Sequence, residues 1–139
     1  MDFSGKVAIS TGAASGMGLL FAQNFADLGG NVVLCDVNDE VLKEKVDEIN
    51  SKGKGKVIGV HCDVRDYNQV TNACKTCVDT FGRIDIVCNF AGGYARRMLN
   101  IPGNLDFTEV PIDVYDWGLD VNLKGPFYFA HASLGIMKN

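Results

Sequence analysis

The sequence predicts an α/β fold: a doubly wound parallel sheet with helices on both faces, carried by one domain spanning residues 1–139. Three observations predict it. Short β-rich runs alternate with helical patterns along the chain. Three of the four runs are nearly continuous in apolar residues, as strands buried on both faces must be. A glycine-rich stretch sits where the first run passes into the first helix. Strand–helix–strand alternation with short connections implies parallel strands joined by helical crossovers.

Each element follows in order. The first strand is expected over residues 6–10 (KVAIS), and the helix after Gly16 presents Leu20, Phe21, Phe25 and Leu28 before stopping at Gly29-Gly30. The second strand covers residues 31–35 (NVVLC). Asn38 then caps a helix that buries Val41, Leu42, Val46 and Ile49. The third strand, residues 57–61 (VIGVH), leads to a helix over residues 67–81, with Asp66 as its cap and Gly82 just past its end. In that helix Tyr67, Val70, Cys74, Cys77, Val78 and Phe81 form one apolar stripe. Cys74-x-x-Cys77 therefore reads as core, not as a redox pair or half a zinc site, and no metal is expected. The fourth strand is expected over residues 84–88 (IDIVC), followed by a polar loop from Gly92 to about Pro111. A long helix then runs from about Asp113 to the C-terminus.

Composition narrows the function. The 139 residues are 47% hydrophobic and 22% charged with a net charge of −4, which suits a packed core and offers nucleic acid no basic landing site. No apolar run approaches the roughly 18 residues that cross a bilayer, and no signal peptide is visible. A cytoplasmic location is expected, and five cysteines, an odd number, fit a reducing compartment better than a disulfide framework.

Chemistry enters with Ser10-Thr11-Gly12-Ala13-Ala14-Ser15-Gly16-Met17-Gly18. A diphosphate needs close backbone approach, which residues without a Cβ allow, and free N–H groups, which a helix N-terminus supplies. Glycines also serve ordinary turns, but the strand-before, helix-after context favours a ligand loop. Asp36 ends the second strand eighteen residues after Gly18, the distance at which an acid accepts hydrogen bonds from an adenosine ribose. Its carboxylate would repel a 2′-phosphate, and its neighbours Cys35 and Val37 are neutral, so NAD is expected over NADP. Asp36 could also cap the next helix.

Thr11-Gly12-x3-Gly16-x-Gly18 resembles the cofactor loop of the short-chain dehydrogenase/reductase family, whose fold is Rossmann-like. Asp63-Val64, Asn89-Phe90-Ala91-Gly92 and Asn122-Leu123-Lys124-Gly125 resemble further motifs of that family along the whole chain, with Phe90 in place of a usual Asn. The resemblance implies cofactor contacts from Thr11, Gly12, Ser15, Gly16, Met17, Gly18, Asp36, Asp63, Val64, Asn89, Ala91 and Gly92, with Asp63 on the adenine amino group. It implies that Asn122 is a catalytic residue whose carbonyl holds a water in a proton relay. Pro126, four residues on, has no N–H for that carbonyl. A plain bend at Gly125-Pro126 is the alternative. Cys35, Cys62 and Cys88 directly precede Asp36, Asp63 and Asn89 and read as small buried residues beneath a cofactor. Arg96-Arg97 could meet an anionic substrate or simply be solvated.

The family's chemistry is hydride transfer between nicotinamide and an alcohol or carbonyl, performed by a Ser and a Tyr with Lys four residues on. Tyr67, Tyr94, Tyr115 and Tyr128 are followed at that spacing by Thr71, Met98, Leu119 and Ala132, so none qualifies. The chain is thus expected to be the N-terminal portion of such an enzyme, truncated after the fourth strand and the long helix, inactive alone, and with the fourth strand as a bare apolar edge. Two readings stand: a portion of an NAD-dependent oxidoreductase acting on a small alcohol or carbonyl, or a non-catalytic nucleotide-binding or regulatory fragment. The resemblance implies a homo-oligomer, dimer or tetramer, for the complete enzyme.

Overall fold

A computed structural model describes residues 1–138. Four strands, β1 (Val7–Thr11), β2 (Asn31–Asp36), β3 (Val57–His61) and β4 (Ile86–Asn89), form one parallel sheet in the order β3-β2-β1-β4. Alternate side chains of the central strands enter two separate cores. Ala8, Val32, Leu34 and Val57 face α1 (Gly16–Asp27) and α2 (Asp39–Lys52), meeting Ala22, Phe25, Ala26, Leu42 and Ile49. Val7, Ile9, Val33, Cys35 and Val60 face α3 (Tyr67–Phe81) and α6 (Gly125–Met137), meeting Val70, Cys74, Cys77 and Phe129. Helices on both faces of a parallel sheet make the doubly wound fold that the alternation predicts.

The caps behave as their chemistry requires. The Asn38 side chain accepts the Val41 N–H, and Asp66 accepts those of Asn68 and Gln69. Gly82 closes α3 in the left-handed region at φ 79°. Cys74 and Cys77 lie in the core, where burial pushes their thiols up to about 11 and about 12. They pack as small hydrophobes.

Three expectations need correction. α1 buries Ala22 and Ala26 beside Phe25, while Leu20 and Leu28 are exposed, at 59% and 37%. Small residues bring α1 close to the sheet, and close packing outweighed hydrophobic size. The fourth strand starts at Ile86, not at residue 84; just before it the Asp85 N–H donates to the Val7 carbonyl at 2.9 Å and the Asp85 Oδ2 accepts the Val7 N–H at 2.9 Å. The long helix is interrupted. α5 (Ile112–Leu119) passes through a wide π turn over Asp120–Lys124, where the Gly125 N–H donates to the Asp120 carbonyl, before α6 begins. Pro126 cannot donate to Asn122, and the chain absorbs the missing bond one turn upstream of the proline. The loop after β4 also holds a short helix, α4 (Ala95–Met98), and a 3₁₀ turn at Phe107–Glu109.

β4 is an edge strand with half-buried residues, held at its start by Asp85. Burial opposes ionisation of this carboxyl, yet its bonds from Arg83 (2.6 and 2.8 Å) and Val7, with the Lys6 charge beside it, hold its pKa below the usual value. A depressed folded pKa stabilises above the unfolded value near 3.8, and that contribution is lost as pH falls through the folded value. Asp85→Asn is expected to cost about 1–2 kcal/mol at pH 7. Urea unfolding at pH 7 and again near pH 3 checks this, because the gap from wild type should close at the lower pH.

Candidate functional site

The order of strands reverses between β1 and β4, and connections leaving their carboxyl ends must diverge to opposite faces there. At that point lies a cleft of about 420 Å³. Its floor is the turn from β1 into α1. Gly12 takes φ 61° and Gly16 φ 56°, a region that glycine enters without strain. A Cβ on Gly12 would stand 2.9 Å from the Ala91 backbone, and one on Gly18 would stand 2.6 Å from the Gly12 carbonyl oxygen. The turn, the helix and the loop after β4 are therefore in backbone contact, and glycine is what permits it.

Local hydrogen bonds fix this floor. The Ser10 hydroxyl donates to the Gly18 carbonyl at 3.0 Å, tying β1 to the first turn of α1. Thr11, fully buried, accepts the Ala91 N–H at 3.0 Å. The Asp36 carboxylate accepts the N–H of Ala14 (2.9 Å) and of Asn38 (3.0 Å), so it braces the glycine turn from the end of β2. The cap of α2 is Asn38, so the alternative reading of Asp36 as that cap falls. Ser15 precedes α1 with its side chain uncommitted to capping, and the first turn of α1 holds no acidic residue. The positive end of that helix faces the cleft with no acidic residue in its own first turn, a setting for an anion.

Of the residues expected to touch a cofactor, Gly12, Ser15, Gly16, Met17, Gly18, Asp36, Asp63, Val64, Ala91 and Gly92 line the cleft. Thr11 and Asn89 do not. Thr11 lies beneath the floor as a brace, and Asn89 is exposed at the end of β4. Asn122 stands behind the wall. Its side chain donates to the Gly93 carbonyl (3.0 Å), accepts the Gly93 N–H (2.9 Å) and donates to the Gly118 carbonyl (2.9 Å). The π turn is thereby clamped to the loop after β4, and a Cβ on Gly92 would meet Asn122 Oδ1 at 2.5 Å.

Sequence reasoning missed several wall residues. Val37, Arg65, Met98, Trp117 and Val121 reach the cleft from five separate segments, and no motif links them. Arg65 stands two residues past Asp63 and holds both of its carboxylate oxygens, which keeps the Asp63 carboxyl ionised below its usual range. Phe90, the departure from the family's Asn, packs its ring 5.8 Å from Phe21 of α1 while lining the cleft. Cys62 also lines it, and the Cys35 thiol beneath hydrogen-bonds Cys62, which with burial pushes Cys35 far above its ordinary value. A thiol shifted in this way, as Cys35 is, makes a poor nucleophile. Arg96 is committed to the Leu105 carbonyl (2.9 Å) and the Tyr115 hydroxyl (3.3 Å), so it braces its loop and is not held ready for a substrate. Among the described residues no cluster of three His, Cys, Asp or Glu could hold a metal ion, and no helix is long and apolar enough to cross a membrane.

The arrangement has measured relatives. The family model for short chain dehydrogenases matches residues 6–139. A (2S)-[(R)-hydroxy(phenyl)methyl]succinyl-CoA dehydrogenase subunit from Thauera aromatica is 36% identical across 99% of this chain and 52% of its own length. A short chain dehydrogenase/reductase from Burkholderia phymatum, solved in complex with NAD, superposes with a TM-score of 0.82 at 32% identity, covering 99% of this chain and 46% of that one. L-sorbose reductase from Gluconobacter frateurii, solved with NADPH and L-sorbose, gives 0.88 at 27% identity, over 99% of this chain and 49% of that one. The chain spans about half the length of the curated relatives it matches. On the match over nearly its whole length, this chain belongs to the short-chain dehydrogenase family.

Proposed function

We propose that this chain is the NAD-binding portion of an oxidoreductase that moves hydride between nicotinamide and a small alcohol or carbonyl compound. One observation carries the reading: a helix N-terminus with no acid in its first turn and a backbone-lined glycine floor face one cleft, with the Asp36 carboxylate at the edge of the glycine turn. The residues present fit a dinucleotide: Gly12, Gly16, Gly18, Ala91 and Gly92 line the cleft, and its floor packs against the loop after β4 only while Gly12 and Gly18 lack a Cβ. When bound, the nicotinamide supplies the hydride chemistry. The chain's own residues would do the holding: the first turn of α1 the diphosphate, Asp36 the ribose hydroxyls, and Asp63 with Val64 the adenine. Val37, an apolar residue beside Asp36, and the carboxylate itself disfavour a 2′-phosphate, which supports NAD over NADP.

Asn122 would act in proton transfer through its carbonyl, to which Pro126, four residues on, can give no N–H. Among the described residues the cleft wall carries no Tyr and no Lys, so no acid/base pair stands there to complete the reaction. The 139-residue chain is expected to bind NAD without turning over any alcohol, and measurable reduction of NAD would sink that account. The exposed run of Leu119, Leu123, Phe127 and Leu134 along the long helix supports a homo-oligomer for the complete enzyme.

Trp117 is the single tryptophan and lies on the cleft, so its fluorescence reports ligand binding directly. Asp36→Ala is expected to weaken NAD about tenfold, a loss of about 1.4 kcal/mol. Asp36→Asn should narrow the preference for NAD over NADP by removing the repelling charge. Titration of both cofactors decides this, and an unchanged NAD affinity in Asp36→Ala would count against the ribose assignment.

A further inference from the structure

A row of four aromatic rings runs from the N-terminal segment to the cleft. Phe3 stacks on Phe25 with ring centroids 4.5 Å apart, and Phe25 stacks on Phe21 at 5.4 Å. Phe21 then meets Phe90 at 5.8 Å, the two rings tilted by 45°. Phe25 is fully buried, so the row is rooted in the core beneath α1. Phe21 and Phe90 are half-buried, and of the four rings Phe90 alone lines the cleft. Helical side chains lean toward the N-terminus and cover the turn before their own Cα. Phe21 thus stands beside Met17 and Gly18, one turn earlier on the same face of α1. Gly18 is buried and brings no side chain of its own, because a Cβ there would strike the Gly12 carbonyl oxygen. Phe90 packs there from the other side. Its backbone lies against Gly12, where a Cβ would stand 3.2 Å from the Phe90 carbonyl carbon, while its ring lies against Phe21.

We propose that Phe90 is a positioning residue for the dinucleotide: packed on Phe21, its ring sets the first turn of α1 against the loop after β4 before a diphosphate arrives. The inference rests on the cofactor reading above and deepens it, since it concerns the diphosphate end of the same cleft. Phe90 touches no reacting atom. Its contribution is preorganisation. Backbone N–H groups hold an anion best when they are already aimed at it, because ordering them during binding would subtract from affinity. A tilted ring pair at this separation is worth more than the area it buries, and Phe25 keeps Phe21 from yielding. The Asn usual at this place in the family would set a polar amide against the Phe21 ring and forgo that contact.

Calorimetric titration of the 139-residue chain with NAD and, separately, with adenosine tests this. Adenosine carries no phosphate and asks nothing of the first turn of α1. Phe90→Asn is expected to weaken NAD about threefold to tenfold and adenosine by less than about twofold. Phe90→Tyr keeps the ring and should hold NAD within about twofold of wild type. Phe21→Leu should weaken NAD as Phe90→Asn does. The double variant should then lose little more than either single one, because both changes break one contact. Phe3→Leu removes the far end of the row, so urea unfolding should show lost stability while the ratio of NAD to adenosine affinity stays at the wild-type value. The same unmoved ratio in Phe90→Asn, or fully additive losses in the double variant, overturns the positioning role. Wild-type NAD binding alongside that result leaves the cofactor reading standing, whereas no NAD binding by wild type sinks that reading itself.

Discussion

Gly12→Ala is expected to remove measurable dinucleotide binding and to destabilise the chain by about 2–5 kcal/mol. Two separate penalties meet there. Gly12 sits at φ 61°, where a Cβ costs about 1–2 kcal/mol. That Cβ would also stand 2.9 Å from the Ala91 Cα and nitrogen, and overpacking against backbone costs about 1–3 kcal/mol more. Ala91 cannot yield easily, since its N–H is fixed to Thr11 at the end of the central strand. Relief would have to separate the floor of the cleft from the loop after β4. Gly16→Ala is the internal control. It shares the left-handed backbone, φ 56°, but its Cβ would meet nothing within 4 Å, so only the first penalty applies. Denaturant unfolding with NAD titration should rank wild type above Gly16→Ala and Gly16→Ala well above Gly12→Ala. Equal stability of the two variants would show that contact with Ala91 does not constrain the turn.

Glycines of that turn were legible before any coordinates because their requirement is local: strand, tight turn and helix follow one another in sequence. The same holds for α3, whose cap, stripe and closing glycine all lie within its own span, and whose bounds match the spacing. Legibility failed where a residue's role depends on something distant in the chain. Leu20 has the right spacing for a buried face, yet Ala22 and Ala26 set how closely α1 approaches Ala8 and Val32. Asp85 looks like an ordinary strand residue and its N–H does bond the Val7 carbonyl, but its carboxylate also takes the Val7 N–H, 78 positions away. Arg65 was invisible as a wall residue because nothing in Asp63-Val64-Arg65 says that the guanidinium turns back onto the acid. The π turn is an intermediate case. Pro126 announces a broken bond, but where the helix widens depends on packing at Val121 and at Gly125, where a Cβ would stand 2.8 Å from Val64 Cγ2.

Phe129→Ala should be the most costly truncation of a single side chain, at about 3–5 kcal/mol. Phe129 has no exposed surface and is the largest fully buried side chain in the molecule's described residues. It anchors α6 to the core shared with α3 and the sheet, and its carbonyl accepts the buried Ser133 hydroxyl one turn later at 2.7 Å. Removing the ring leaves a void that neighbouring strands cannot fill, because parallel pairing fixes their positions. Phe127→Ala, 63% exposed on the same helix, should change stability by less than about 0.5 kcal/mol. For a chain of this size the expected loss corresponds to a fall in Tm of about 10–20 °C. The site should feel it through the helix. With α6 loosened, the π turn loses its footing, and the pair of bonds between Asn122 and Gly93 loses the rigid element that holds it. Amide exchange at Gly93 should therefore accelerate in Phe129→Ala more than exchange at Ala14, whose N–H is held by Asp36 from the opposite end of the cleft. Uniform acceleration at both amides would mean that α6 supports the whole fold and gives the Asn122 clamp no particular support.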